Sequence, residues 1–219
     1  MLDLSNYDFV IFDCDGVVLD SNAIKTDGFY VALENYSSDI VEDFISYHKS
    51  HGGISRQEKF KYFYNEILGE FNEQAYQISL EKFQTYCVEA LTKAPLVKGV
   101  EKCLNYFQLK DVPMYILSGG NEKEIRDVFE HKNILKYFKK ICGNPISKRQ
   151  NISYLFNEKI ITGKGLYFGD AILDYEISIE NKLDFIYVYT VSEWKLGKEF
   201  CKAHDVPYIK NFHELIFQN

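Results

Sequence analysis

Five short apolar runs punctuate the chain: Phe9–Asp13, Pro113–Ser118, a weaker Lys140–Cys142, Gly165–Gly169 and Phe185–Tyr189. Each is too short for a buried helix and rich in Phe, Tyr, Ile or Val, which predicts a strand. Between the later runs, apolar residues recur at helical spacing and predict helices over Glu122–His131, Gln150–Lys159 and Ile172–Asn181. Strands that are apolar throughout and alternate with helices imply a parallel sheet covered on both faces. The fold class is therefore α/β, a Rossmann-like sheet core flanked by helices.

One region breaks the alternation. From Ser21 to Ala94 there is no strand pattern, only amphipathic stretches such as Val41–His48, Arg56–Leu68 and Ala75–Leu91. This predicts a small all-helical domain, residues 21–94, inserted into a core made of 1–20 and 95–219. Ser50–Ser55, which holds Gly52 and Gly53, is the obvious loop within the insertion, and Pro95–Gly99 marks the return to the core.

The chain's 219 residues are enough for one such core and a modest insertion. Aromatic residues make up 16 % of it, so a large packed interior is available. The net charge of −7 argues against nucleic acid and anionic membranes as partners. An anionic ligand would then need a local cluster of cations or backbone N–H groups. The five cysteines form no Cys-x-x-Cys pair, which points to reduced thiols rather than a disulfide framework or a zinc site. Asp3 and Asp8 stand where a leader would be basic, and no stretch approaches the roughly 20 apolar residues that span a bilayer. A cytoplasmic, soluble protein, monomeric or weakly dimeric, is the expectation.

The chemistry gathers at strand ends. Asp13 and Asp15 sit two residues apart where the first strand stops, with Gly16 directly after. Burying unpaired charge is costly, so a cation or a chemical task is the natural reason for them. A metal-assisted centre with one carboxylate as nucleophile and the other as proton donor fits that pairing. Strand alternation turns Cys14 away from both acids, leaving it a buried, inert thiol. Three further motifs follow in order: Ser118-Gly119-Gly120-Asn121, Lys148 after Asn144-Pro145-Ile146-Ser147, and Gly169-Asp170-Ala171-Ile172-Leu173-Asp174.

In that order the four motifs resemble the haloacid dehalogenase-like hydrolase superfamily, in the branch with a helical cap between the first two. The resemblance implies that Asp13 attacks a phosphoryl group and that Asp15 protonates the leaving oxygen, then activates water. It implies a Mg2+ ion held by the Asp13 side chain, the Asp15 carbonyl and Asp170, with Asp174 as ligand or supporting partner. Ser118 and backbone N–H groups, Gly119 included, would hold phosphoryl oxygens, and Lys148 would neutralise phosphate and nucleophile. Relatives that cleave carbon–halogen or carbon–phosphorus bonds lack the second acid, so Asp15 points to phosphoryl transfer. Arg56, after Gly52-Gly53-Ile54-Ser55, would grip a distal group of the substrate; its alternative is a surface arginine opening a helix behind N-cap Ser55.

The expected activity is a Mg2+-dependent phosphatase acting on a small phosphorylated metabolite, a sugar phosphate or phosphoglycolate. A β-phosphoglucomutase-like isomerase is the alternative. Mutases usually carry a histidine in the first cap helix, where this chain has Lys25 beside Thr26, and that departure favours hydrolysis. A non-catalytic binding protein of the same fold is a third reading, opposed by four intact motifs.

Overall fold

Phe9, Val10, Ile11 and Phe12 are apolar on both sides of the pleat, and the computed structural model buries all four as the central strand β1 (Phe9–Phe12). The structure describes Leu4 and residues 6–215; Asp3 and the chain ends assigned to the core range lie outside the described residues. After β1 come four helices with no strand among them: α1 (Asn22–Ala32), α2 (Ser38–Ser50), α3 (Arg56–Tyr62) and α4 (Glu73–Lys93). Alternation then resumes with α5 (Val100–Leu109), β2 (Met114–Asn121), α6 (Glu122–His131), β3 (Phe138–Asn144) and α7 (Lys148–Asn157). β4 (Gly165–Gly169), α8 (Ile172–Glu180), β5 (Asp184–Val188), α9 (Gly197–Ala203) and β6 (Tyr208–Ile209) complete it.

Among the described residues the sheet has six strands, all parallel, in the order β3-β2-β1-β4-β5-β6. Side-chain alternation divides its core into two. Val10, Phe12, Ile116 and Phe168 pack on one face, while Phe9, Ile11, Leu117 and Tyr167 pack on the other. Strand order reverses between β1 and β4, so the crevice beyond their carboxyl ends is the place where such sheets bind ligands.

The helical insertion has its own aromatic centre. Phe29 of α1 lies 5.2 Å from Phe44 of α2, 5.2 Å from Phe60 of α3 and 4.5 Å from Phe83 of α4. One ring from each helix thus meets at a shared centre.

Element bounds shift by a residue or more in most elements, β2 running on through Ser118 to Asn121 and α7 starting at Lys148, and three differences have a clear physical reason. β3 runs longer than Lys140–Cys142 because it is an edge strand, where exposed Lys139 breaks the apolar run. The helix expected from Arg56 to Leu68 ends at Tyr62, and a π turn over Phe63–Ile67 follows, burying both Phe63 and Tyr64. β6, two residues long at the opposite edge, is too short to leave a periodic signal. No helix among the described residues is long and apolar enough to cross a membrane.

Candidate active site

Asp13 directly follows β1 and shares the pleat parity of Phe9 and Ile11, which points it toward the face that α7 and α8 cover. Lys148 is the first residue of α7. Its place is set by a capping box in which Ser147 Oγ accepts from the Gln150 N–H and the Gln150 side chain reaches back to Ser147. From there its ammonium meets Asp13 Oδ2 at 2.9 Å and Asp174 Oδ1 at 2.6 Å, with all three side chains almost wholly buried. The backbone N–H of Cys14 donates to Asp13 Oδ1 at 2.6 Å.

Asp174, in the first turn of α8, has both oxygens engaged. Oδ1 accepts from Lys148 and from the Tyr167 hydroxyl, each at 2.6 Å, and Oδ2 accepts from the N–H groups of Asp170 and Ala171 at 3.2 Å. It therefore caps its own helix and fixes the turn that carries Asp170. Asp170 Oδ2 accepts from Asn22 Nδ2 at 2.7 Å, a contact from α1 across 148 residues of sequence. Gly16 lies in the left-handed region, and any side chain there would collide with the Asp170 carboxylate. Both demands explain the glycine.

Asp13, Asp170 and Asp174 bring carboxylate oxygens within 4.8 Å of one another, all buried, and among the described residues Lys148 is the one cation touching Asp13 and Asp174. Burial raises the Asp13 carboxyl from 3.8 to about 7, even though Lys148 pulls the other way. Burial, followed by the Asp13 charge, also raises Asp170 well above the usual carboxylate range. Burial opposes the Lys148 charge too, but Asp13 and Asp174 outweigh it and keep the ammonium above its ordinary value. So hard, all-oxygen and electron-rich a donor set fits a small divalent cation. Of the three aspartates, Asp13 and Asp170 line the cleft.

Asp15 sits at the cleft side of the same loop. Ser21 Oγ donates to its Oδ1 at 2.6 Å and Lys25 Nζ stands 3.5 Å from Oδ2. Ser118 is buried near the carboxyl end of β2, and its Oγ accepts from the Gly120 N–H at 3.0 Å. The next helix, α6, starts later than the Ser-Gly-Gly motif, with Asn121 as its N-cap. A side chain at Gly119 would strike the Gly53 carbonyl oxygen, so the Ser50–Ser55 loop of the insertion rests directly on the end of β2.

Arg56 is placed by a second capping box, Ser55 with Glu58. Its guanidinium is not at the surface. It makes a bidentate pair with Glu124 of α6, Nη1 to Oε2 at 3.1 Å and Nη2 to Oε1 at 2.5 Å, tying the insertion to the core. Cys14 is 1 % exposed and packs with Val10 and Phe12 on the face opposite Asp13, its thiol pushed far up by burial.

Asp13, Asp15, Asp170, Ser118, Gly119 and Arg56 line one cleft of about 800 Å3, its open mouth included, between insertion and core, while Asp174, Lys148 and Cys14 do not. Lys148 meets the cleft through Asp13. The lining residues that carried no motif include Asn22, His48, Lys59 and Glu193. Lys59 left a trace, since it shares the buried stripe of Phe60 and Phe63 at helical spacing, an odd register for a lysine. The others are brought in by tertiary contact alone.

Fold and site define an enzyme of the hydrolase class built on a parallel α/β sheet with a buried acidic centre. The chain belongs to the haloacid dehalogenase-like hydrolase family, whose model matches residues 10–188. Its fold is similar to that of a predicted phosphoglycolate phosphatase from Haemophilus somnus, at 15 % identity, TM-score 0.76 and 96 % coverage of either chain. It is also similar to a predicted phosphatase from Clostridium acetobutylicum, at 21 % identity, TM-score 0.72 and 93 % coverage of either chain. The magnesium-bound form of YfnB from Bacillus subtilis, for which interdomain movement is described, matches at 15 % identity and TM-score 0.66, covering 95 % of this chain and 96 % of that one. Among curated proteins, none matches the sequence significantly.

Proposed function

We propose that the protein is a Mg2+-dependent phosphatase that hydrolyses a small phosphorylated metabolite, with residues 21–94 acting as a cap on a core of 1–20 and 95–219. The observation that carries this reading is the Asp13–Lys148–Asp174 cluster at the sheet's switch point, with Asp15 two residues on and Ser118 on the neighbouring strand. A bound Mg2+ ion would be held by Asp13 and Asp170 and the Asp15 carbonyl, and would supply charge neutralisation for the phosphoryl oxygens. Asp174 is a positioning residue, because its oxygens are committed to Lys148, Tyr167 and the Asp170 turn.

In the first step a carboxylate oxygen of Asp13 forms a bond to phosphorus while the ester P–O bond breaks. The leaving oxygen takes the electron pair and the proton that Asp15 carries. In the second, Asp15 accepts a proton from water as its oxygen attacks the aspartyl phosphate, releasing phosphate and restoring Asp13. Ser118 and the Gly119 N–H hold the phosphoryl oxygens. Lys148 keeps Asp13 from repelling them. Lys25 beside Asp15 occupies the position of the mutase histidine, which favours water over a second hydroxyl as the acceptor.

The test is phosphate release from a panel of phosphorylated metabolites, with and without Mg2+, against an Asp13→Asn control. Release that needs Mg2+ and is lost in the variant is expected. Release that survives Asp13→Asn removes the mechanism, and exchange of phosphate position without net release replaces hydrolysis with isomerisation.

A further inference from the structure

Four cations of the insertion line the cleft: Lys25, Lys49, Arg56 and Lys59. Three have carboxylate partners, Lys25 with Asp15 at 3.5 Å, Lys49 with Glu193 at 3.9 Å and Arg56 with Glu124. Lys59 is only 4 % exposed and has none. Its ammonium reaches His48 Nδ1 at 2.6 Å and the His48 carbonyl at 3.2 Å, and no carboxylate among the described residues lies within ion-pair distance.

The histidine does not supply the missing charge. Thr26 Oγ1 donates to Glu193 Oε1 at 2.7 Å, so it accepts from His48 Nε2 at 3.0 Å, and the ring proton is on Nε2. Nδ1 is therefore a neutral acceptor for Lys59. Burial, with Lys59 adding to it, holds the imidazole uncharged, its pKa down at about 2. An ammonium has three N–H donors: two are spent on His48, and beyond them Nζ has the Phe29 ring, whose centroid is 5.9 Å away, and no counter-ion among the described residues. A cation so buried and without a contacting carboxylate loses part of its charge: burial brings Lys59 down to about 7, although the more distant Glu193, Asp15 and Asp170 pull it up against burial and Lys25. A ligand anion would reverse that loss, and the cleft is where such an anion can enter.

We propose that Lys59 receives a second anionic group, a carboxylate or a further phosphate, on the molecule whose phosphoryl group docks at Asp13. This rests on the phosphatase reading and narrows its substrate to phosphate esters that carry another negative charge. Lys59 is then a specificity residue acting on the non-reacting end of the substrate. Its tie to His48 fixes the ammonium, so little ordering remains to be done on binding.

Non-hydrolysable matched ligands test it. Calorimetry of the Mg2+-loaded protein compares 3-phosphonopropanoate and 1,3-propanediphosphonate with propylphosphonate, which has similar size and no second anion. The expected preference for a doubly anionic ligand is about thirtyfold or more, the lower end of what a buried charge pair commands. Whichever of the two shows it names the group. Lys59→Met, which keeps the apolar stem, should collapse the preference to within threefold while leaving propylphosphonate affinity unchanged, and Lys59→Arg should restore part of it. A wild-type preference under threefold, or one that survives Lys59→Met, overturns the proposal while Mg2+-dependent binding of all three ligands leaves the phosphatase reading standing. If none of the three binds and no ester is hydrolysed, both readings fall together. Should Lys59→Met not fold, the wild type at pH 8 in two buffers decides: about one more proton taken up with the preferred ligand than with propylphosphonate assigns the anion to Lys59, and no difference overturns it.

Discussion

Replacing the nucleophile should stabilise the metal-free protein. In the folded state the Asp13 carboxyl is carried from 3.8 to about 7, because burial penalises its charge by more than Lys148 recovers. At about 1.36 kcal/mol per pH unit, that rise corresponds to about 4 kcal/mol of cost for the charged form. A folded pKa above the unfolded one means the carboxyl contributes no penalty below about pH 4. The penalty then grows as pH rises through the window from about 4 to 7 and is full above it. Asparagine mimics the protonated form, so Asp13→Asn escapes the cost. Because Asp170 is raised by the same cluster, protons leave the group jointly, and about 2–4 kcal/mol is the working range. The assay is urea unfolding of wild type and variant in a chelator across pH 4–8. The difference between the two cancels groups common to both, such as His48 and Lys59. The variant should be equal to wild type near pH 4 and more stable by the stated amount at pH 8, with added Mg2+ restoring the wild type. A variant less stable than wild type at pH 8 in chelator would show that the Lys148 ion pair outweighs burial, and the account of this cluster would be wrong.

Three further outcomes follow from the same geometry. Lys148→Met leaves Asp13 and Asp174 buried without their cation, and should cost about 3–5 kcal/mol in urea unfolding at neutral pH together with all phosphate release. Arg56→Ala should raise KM more than it lowers kcat, and a double-mutant cycle with Glu124→Ala should give a coupling of about 1–3 kcal/mol in stability, as a bidentate and mostly buried pair requires; no coupling would mean the pair does not fasten the insertion. Gly119→Ala forces the Ser50–Ser55 loop off the end of β2, so kcat/KM should fall at least about tenfold with the circular dichroism spectrum unchanged, and unaltered kinetics would refute the contact.

Much of the site was legible because it is written at strand ends. A parallel sheet brings the carboxyl ends of β1, β2 and β4 together, so Asp13 and Asp170, just past their strands, meet Ser118, in the second half of β2, whatever the loops between them do. Lys148 was legible for a related reason, since Ser147 and Gln150 start its helix locally and leave the ammonium one direction to go. Cys14 followed from pleat parity alone.

Other features depend on separations that no local pattern encodes. Asn22 and Asp170 are 148 residues apart, Thr26 and Glu193 are 167 apart, and each pair meets only because the insertion packs on the β4–β5 side of the crevice. Arg56 illustrates the limit well: its helix start was readable from Ser55, but its partner was not, because Glu124 belongs to a helix of the other layer. Order along the chain determined the sheet, the inserted helices and the identity of the acids. Tertiary packing decided how much water each of them keeps, and with it whether Asp13 and Lys59 hold their charge, because desolvation depends on every neighbouring surface and not on sequence neighbours.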